Sequence, residues 1–263
     1  MSTQTSSPSV SLAPLGPMFW HQLQAELLRM WRTPSFLISS VVLPSLLFSL
    51  LGLRKAVVID GVSTHVYILA SVATYGMVSV MLYSFGVSIA NERAQRVNVL
   101  MRATPLPAYV YLLAKVATAL LSAVAMLLVL SIFAFAAGGV QLSVMTWITL
   151  VASVVLGALP FVALGFAIGN VINPTGVGPI INLSFFALSF ASGIFVPLSQ
   201  LPDLLQNIAP YSPFYLLGQL AWHAVGAQTG SIGNAAWLLA LYGIIFFGLA
   251  VFAFRREEQQ TFG

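Results

Sequence analysis

A chain of 263 residues in which 59% are hydrophobic and 6% charged, with a mean hydropathy of +0.96, is too apolar for a soluble domain of that size. The formal net charge of +4 and the isoelectric point of about 9.6 would suggest nucleic acid as the partner of a soluble protein. In a chain this apolar, positive charge orients membrane spans instead, and no nucleic-acid partner is expected. Cysteine is absent, which excludes a disulfide framework, a thiolate nucleophile and a cysteine-based metal site.

The lipid interior offers no water to satisfy backbone N–H and C=O groups, so the spanning elements must be helices or a closed barrel. The apolar runs are continuous rather than alternating, which selects helices. The expected fold is therefore all-α and membrane-integral.

In chain order, residues 1–16 carry no basic charge, do not resemble a cleavable signal, and read as a disordered tail. Residues 17–33 read as an interfacial amphipathic helix. Trp20, Leu23, Leu27 and Trp31 recur at helical spacing on one face, and Gln22, Glu26, Arg29 and Thr33 on another. Such a helix serves either as an anchor that sets topology or as a contact for a cytoplasmic partner. Pro34 then turns the chain into the membrane.

Six spans are expected, at about 34–53, 65–90, 109–138, 144–169, 177–196 and 231–254, with Pro160 kinking the fourth. Arg29, Arg32, Arg93, Arg96, Arg102, Arg255 and Arg256 gather on one side, and Arg54 and Lys55 on the other. The positive-inside rule then makes both termini cytoplasmic, including a tail at 255–263. Lys115, about a turn and a half inside the third span, is expected to snorkel to the cytoplasmic interface.

Between the second and third spans, charges are concentrated: Glu92, Arg93, Arg96 and Arg102 fall within eleven positions. The segment 91–103 reads as a short helix with Asn91 as N-cap, Glu92 in its positive first turn, and a Glu92–Arg96 pair at i,i+4. Val97, Leu100 and Met101 give it a small apolar face, and Thr104-Pro105 ends it. A loop that only sets topology explains the charges as well.

Between the fifth and sixth spans, residues 197–225 are too apolar for a loop and too broken for a span. Pro197, Pro202, Pro210 and Pro213 divide the segment. Pro202-Asp203 suits the first turn of one short helix, and Ser212 followed by Pro213 suits the N-cap and first position of another. The pair is either re-entrant, lining the outer end of a pathway, or a peripheral hairpin.

No catalytic constellation emerges. His21, His65 and His223 stand in separate segments without metal-ligand spacing, and no metal site is expected. Every acid falls outside the expected spans, so no intramembrane pair is set for acid–base work. A charge at the bilayer centre costs roughly 2.5–3.5 kcal/mol on insertion scales and is kept where ions or protons move; none is expected mid-span here. The only lysines, Lys55 and Lys115, follow no glycine, so no phosphate-binding loop exists in the chain. Energy for uphill transport must come from another polypeptide.

The stretch "NERAQRVNVLMRATPLPAYVYLLAK" resembles the cytoplasmic segment of type-2 ABC exporter permeases: an acidic–basic pair, a short helix, Leu-Arg-x-Thr-Pro, and a lysine early in the next span. The matching residues are Glu92, Arg93, Leu100, Arg102, Thr104, Pro105 and Lys115, with Met101 intervening between Leu100 and Arg102. The family often has Gly-Thr where this chain has Arg96 and Val97. The stretch from Phe190 to Trp222 is similar to the family's outer segment, with Ser192, Gly193 and Pro197 forming Ser-Gly-x-x-x-Pro.

The resemblance implies a bacterial or archaeal plasma-membrane exporter working as a homodimer or with a related permease. It also implies ATP and Mg bound by a separate ATPase docked on Glu26, Arg29, Glu92, Arg93, Arg96, Leu100, Arg102 and Pro105. Gly165/Gly169 and Ser189/Gly193 are small-xxx-small pairs that suit a dimer contact. Phe185, Phe186 and Phe190 either line a pathway for an apolar or amphipathic drug, antibiotic or lipid-like cargo, or face lipid and packing. A secondary transporter or channel, and a non-transporting assembly or sensory component, remain the rival readings.

Overall fold

The computed structural model describes residues 14–53, 57–95, 97 and 107–262, with only the backbone at 108 and 257–262. Of the expected features, most of the tail 1–16 and the greater part of the 91–103 helix, with Arg96, Leu100, Arg102 and Pro105, lie outside the described residues.

The fold is all-α and membrane-integral. Among the described residues six helices are long and apolar enough to cross a membrane: Pro34–Gly52, Thr64–Ala94, Tyr109–Gly138, Val144–Val171, Pro174–Ala191 and Ile232–Arg256. We label the elements α1 (Leu15–Trp31), α2 (Pro34–Gly52), β1 (Val58–Ile59), β2 (Val62–Ser63), α3 (Thr64–Ala94), α4 (Ala108–Gly138), α5 (Val144–Gly157), α6 (Leu159–Val171), α7 (Pro174–Ala191), α8 (Asp203–Ile208), α9 (Pro213–Ala224) and α10 (Ile232–Phe262).

Local chemistry explains the boundaries. Pro34 sits in the first turn of α2, where its missing N–H is no loss. At its far end α4 stops on Gly139, whose φ of 61° is left-handed and cheap only without a Cβ. Ser143 caps α5 by accepting the Thr146 N–H at 3.1 Å. The fourth crossing breaks at Ala158 and resumes with Pro160 in the first turn of α6, so the proline divides it into two helices. Two π-helical stretches, Ile38–Val42 and Phe48–Gly52, interrupt α2, and a third, Tyr83–Val87, lies within α3.

The centre of the molecule is α3. Within its most apolar window 94% of residues are buried, against 22–39% for the other five crossings. Helices α2, α4, α5, α6 and α9 pack around it. A helix with no solvent-facing side, whose hydroxyls find partners on its neighbours, belongs in such a place, and the neighbours turn Ile38, Val42, Leu46 and Leu50 of α2 outward.

Small residues let α6 approach α3 closely. A methyl at Gly169 would stand 2.6 Å from the carbonyl oxygen of Gly86, and one at Gly165 would stand 3.3 Å from the Gly86 nitrogen. The Gly165/Gly169 pair is thus consumed by packing within the chain, not left for a dimer contact. The second pair is also used internally. Ser189 is buried and donates to the Phe185 carbonyl at 2.8 Å, while Gly193, at φ 75°, turns the chain out of α7. That turn ends α7 at Ala191, five residues short of the expected boundary.

At the end of the molecule away from α1, Ser212 caps α9 by accepting the Phe214 N–H at 3.3 Å and meets Ser192 at 2.7 Å. Helix α9 is mostly buried, and its Trp222 stacks on Tyr67 with ring centroids 4.9 Å apart. The β1–β2 hairpin lies at the same end, where its Asp60 carbonyl accepts the Gln228 N–H at 2.7 Å.

Gly169→Ala should cost about 1–3 kcal/mol, because its new methyl meets backbone that cannot rotate away. Gly248→Ala, whose methyl meets nothing within 4 Å, should be neutral or slightly stabilising. Thermal unfolding of both variants in the same detergent checks the difference.

Candidate functional site

Where α1, the last turns of α3 and the first turns of α4 converge, the chain gathers four charges, three of them buried and the fourth, Arg29, at the exposed edge. Glu26, Glu92 and Lys115 retain only 1–3% of their exposure. The Lys115 ammonium has three N–H donors and uses all of them, on Glu92 Oε1 at 2.9 Å, Ser88 Oγ at 2.8 Å and Glu26 Oε2 at 3.2 Å. Glu92 is equally saturated. Its Oε1 accepts from Arg29 Nη1 at 2.6 Å, from Ser88 at 3.1 Å and from Lys115, and its Oε2 accepts from the Tyr111 hydroxyl. Arg29 Nη1 also stands 3.6 Å from Glu26 Oε1. Two carboxylates face two cations, and the group is neutral.

This arrangement corrects three expectations. Lys115 does not snorkel. Tyr111, one turn earlier on α4, places its hydroxyl on Glu92 and its ring 5.2 Å from the ammonium, and the two glutamates supply inside the protein what the interface would have supplied. Glu26 does not lie on a polar face; it turns inward with Leu23 and Met30, while Trp20 and Trp31 are exposed. Asn91 caps no helix start, because α3 runs without a break to Ala94 and Gln95 closes it by donating to the Asn91 carbonyl at 3.0 Å. Glu92 therefore sits at the C-terminal end of a spanning helix, where the dipole disfavours an anion, and its bound donors compensate.

Arg93 points to the opposite side of α3 and donates to the Gly169 carbonyl at the end of α6 at 2.9 Å. The structure thus brings Glu26, Arg29 and Glu92 together and places Arg93 beside them on the α6 contact.

Above the ions, an uncharged node joins three spans. Ser39 of α2 donates to Asn182 Oδ1 of α7 at 2.8 Å and lies 3.1 Å from the Tyr83 hydroxyl of α3, which also accepts from the Asn182 amide. Ser79 donates to the Ser39 carbonyl at 3.2 Å. Along α3, Ser71, Tyr75, Ser79 and Tyr83 recur every four residues. The π turn at Tyr83–Val87 adds one residue, which keeps Ser88 and Glu92 on the same stripe. The stripe ends at Ser71, which accepts the Trp222 indole N–H at 2.8 Å, so it runs from the ion cluster to α9. Sequence inspection for charges passes over it because its members are neutral; their four-residue spacing in a wholly apolar helix is the signal.

The remaining expected residues lie toward the α9 end. Phe185 is buried, stacked on Tyr75 at 4.6 Å and packed on Phe214 at 5.2 Å, so within this chain it fills the core. Phe186 is half-buried, and Phe190 is 38% exposed; both touch Phe195. Ser192, Gly193, Pro197, Pro202, Pro210 and Pro213 shape the turns and helix starts around α8 and α9. Among the described residues no group of three or more histidine, aspartate or glutamate side chains is arranged to hold a metal ion.

Six apolar crossings, one of them buried at the centre with a polar stripe and an ion cluster at its end, define a multi-pass α-helical membrane protein. Residues 59–252 match the family model described as ABC-2 family transporter protein, and the chain belongs to that family as an ABC transporter permease. It is 26% identical over 235 residues to the "Putative transport permease YvfS" of Bacillus subtilis (strain 168), an alignment covering 89% of this chain and 96% of that one. Membrane subunits of this family pair in general with an ATPase subunit.

Removing one partner of a buried, hydrogen-bonded ion set costs about 3–5 kcal/mol, because the rest is left uncompensated. Lys115→Met should fall in that range, and the double variant Lys115→Met/Glu92→Gln should lose less than Lys115→Met alone. Chemical unfolding of the parent chain, Lys115→Met, Glu92→Gln and the double variant in detergent measures the coupling; strict additivity would show that the cluster does not act as a unit.

Proposed function

We propose that the chain is the membrane subunit of an ATP-driven exporter in a bacterial plasma membrane, with both termini cytoplasmic. ATP and Mg are bound by a separate ATPase, which docks on α1 and on the segment after Ala94. The ion cluster carries this reading: Glu26 and Arg29 of α1, Ser88 and Glu92 of α3, and Tyr111 and Lys115 of α4 form one bonded group. A push on α1, or on the chain leaving α3, moves both crossings together, because sliding one alone would strand a buried charge. The polar stripe of α3 then carries the displacement toward α9. Partners along it are hydroxyls and amides, which exchange bonds at small cost during a switch between two arrangements.

The working unit in this reading is a homodimer. Helix α7 supports it: its hydropathy of 1.3 is the lowest of the six crossings, yet only 22% of that window is buried by its own chain. Thr175 and Ser184 are among its exposed residues, and polar groups at membrane depth face protein or a cavity in preference to lipid. The aromatic group of Phe186, Phe190 and Phe195 lies on the same helix and the turn after it, which suits an apolar or amphipathic cargo.

The test is reconstitution with the ATPase in vesicles. Arg93→Ala should leave insertion and assembly intact and reduce ATP-driven export about 10- to 100-fold, the scale of a lost coupling free energy of 1–3 kcal/mol. Unimpaired export in Arg93→Ala and Arg29→Ala together would sink the coupling assignment. Disrupting α8 by Leu204→Asp/Ile208→Asp should lower export while the ATPase still co-purifies.

A further inference from the structure

A cavity of about 360 Å³ opens beside the ion cluster, between α1, the start of α2 and the last turns of α3. Its lining runs along α3 from Gln95 to Tyr83, which at 1.5 Å per residue is about 18 Å of depth. Arg29, Asn91 and Gln95 line it where α3 ends; Met30, Phe36 and Val87 make its apolar wall.

The free hydrogen-bonding capacity at the polar end is one-sided. Glu92 faces the cavity, but its charge is already balanced by Lys115 and Arg29 and three of its four accepted bonds crowd Oε1, which makes it a poor site for an incoming cation. Arg29 commits only Nη1 of its guanidinium and keeps 45% side-chain exposure, leaving charged donors available. The side-chain amides of Asn91 and Gln95 have no partner among the described residues. Arg32, exposed and next in sequence to the lining residue Thr33, adds positive charge on the same segment.

We propose that this cavity binds the phosphate head and first methylene segments of an anionic phospholipid from the leaflet on which α1 lies. Arg29 takes the phosphate, a pairing that guanidinium geometry favours, and the amides of Asn91 and Gln95 take the hydroxyls of a glycerol head. A choline or ethanolamine head finds no open carboxylate. The apolar wall and its depth select a molecule with a tail over a free phosphate, and basic pockets between spans are known to hold acidic headgroups. The bound lipid then rests against the Arg29–Glu92 contact, so lipid composition bears on the ion cluster directly. The assignment is independent of the exporter reading: it needs neither an ATPase nor a transported cargo.

The experiment is native mass spectrometry of the purified full-length chain, offered phosphatidylglycerol or phosphatidylcholine of matched chains, with a parallel arm in inorganic phosphate read by thermal shift. Phosphatidylglycerol should be retained about tenfold over phosphatidylcholine, the scale of one charge-assisted hydrogen bond. Asn91→Asp, and separately Gln95→Glu at the exposed helix end, should erase that preference while the chain keeps its unfolding temperature. Equal retention of the two lipids, or a preference untouched by a folded variant, overturns the site. Stabilisation by inorganic phosphate equal to that by phosphatidylglycerol overturns the lipid as occupant and leaves an anion site.

Discussion

Two carboxylates and a lysine with almost no access to water can coexist only if their charges are balanced by close partners. Taking an ion out of water costs several kcal/mol even after relaxation, and that cost returns only through close, fully bonded partners. Glu26, Glu92 and Lys115 meet the condition with Arg29 as the second cation, drawn from three helices at 26 and 29, 92 and 115. The position of α1 against α3 and α4 depends on it. So does the depth at which Lys115 sits, and so does the dry wall on which the adjoining cavity is built.

The same constraint explains why the molecule centres on α3. A helix that carries Ser71, Tyr75, Ser79, Tyr83, Ser88 and Glu92 on one stripe cannot face lipid. Surrounding it with other helices is the available solution, and glycines at 86, 165 and 169 allow the closest of them to approach. The π turn at Tyr83–Val87 keeps the stripe in register across the ion cluster and the uncharged node. Rigid backbone contacts therefore flank neutral polar contacts along one helix, and the proposed transmission of motion between the two ends rests on that combination.

In this ABC transporter permease the two ends differ in chemistry. The end bearing α1 holds the buried ion cluster and Arg93; the end bearing α8 and α9 holds aromatic packing and proline-shaped turns. Tyr75, Phe185, Phe195 and Trp222 connect the second region to α3, so neither end can rearrange without affecting the central helix.

Composition and continuous apolar runs determined the membrane-integral all-α class and the six crossings, because lipid leaves the backbone no other way to satisfy itself. Local turn chemistry was legible too, at Pro34, Pro160 and Ser212, where one residue decides a helix start. The candidate site was legible only as a list: Glu26, Arg29, Glu92 and Arg93 stand out by charge alone. Tertiary structure decided the rest. It turned Glu26 inward and drew Lys115 away from the interface. It also spent both small-residue pairs inside the chain. Except for the local turn at Ser189 and Gly193, each of these outcomes depends on a partner 20 to 90 residues away, and periodicity along one helix carries no information about what the neighbouring helix presents.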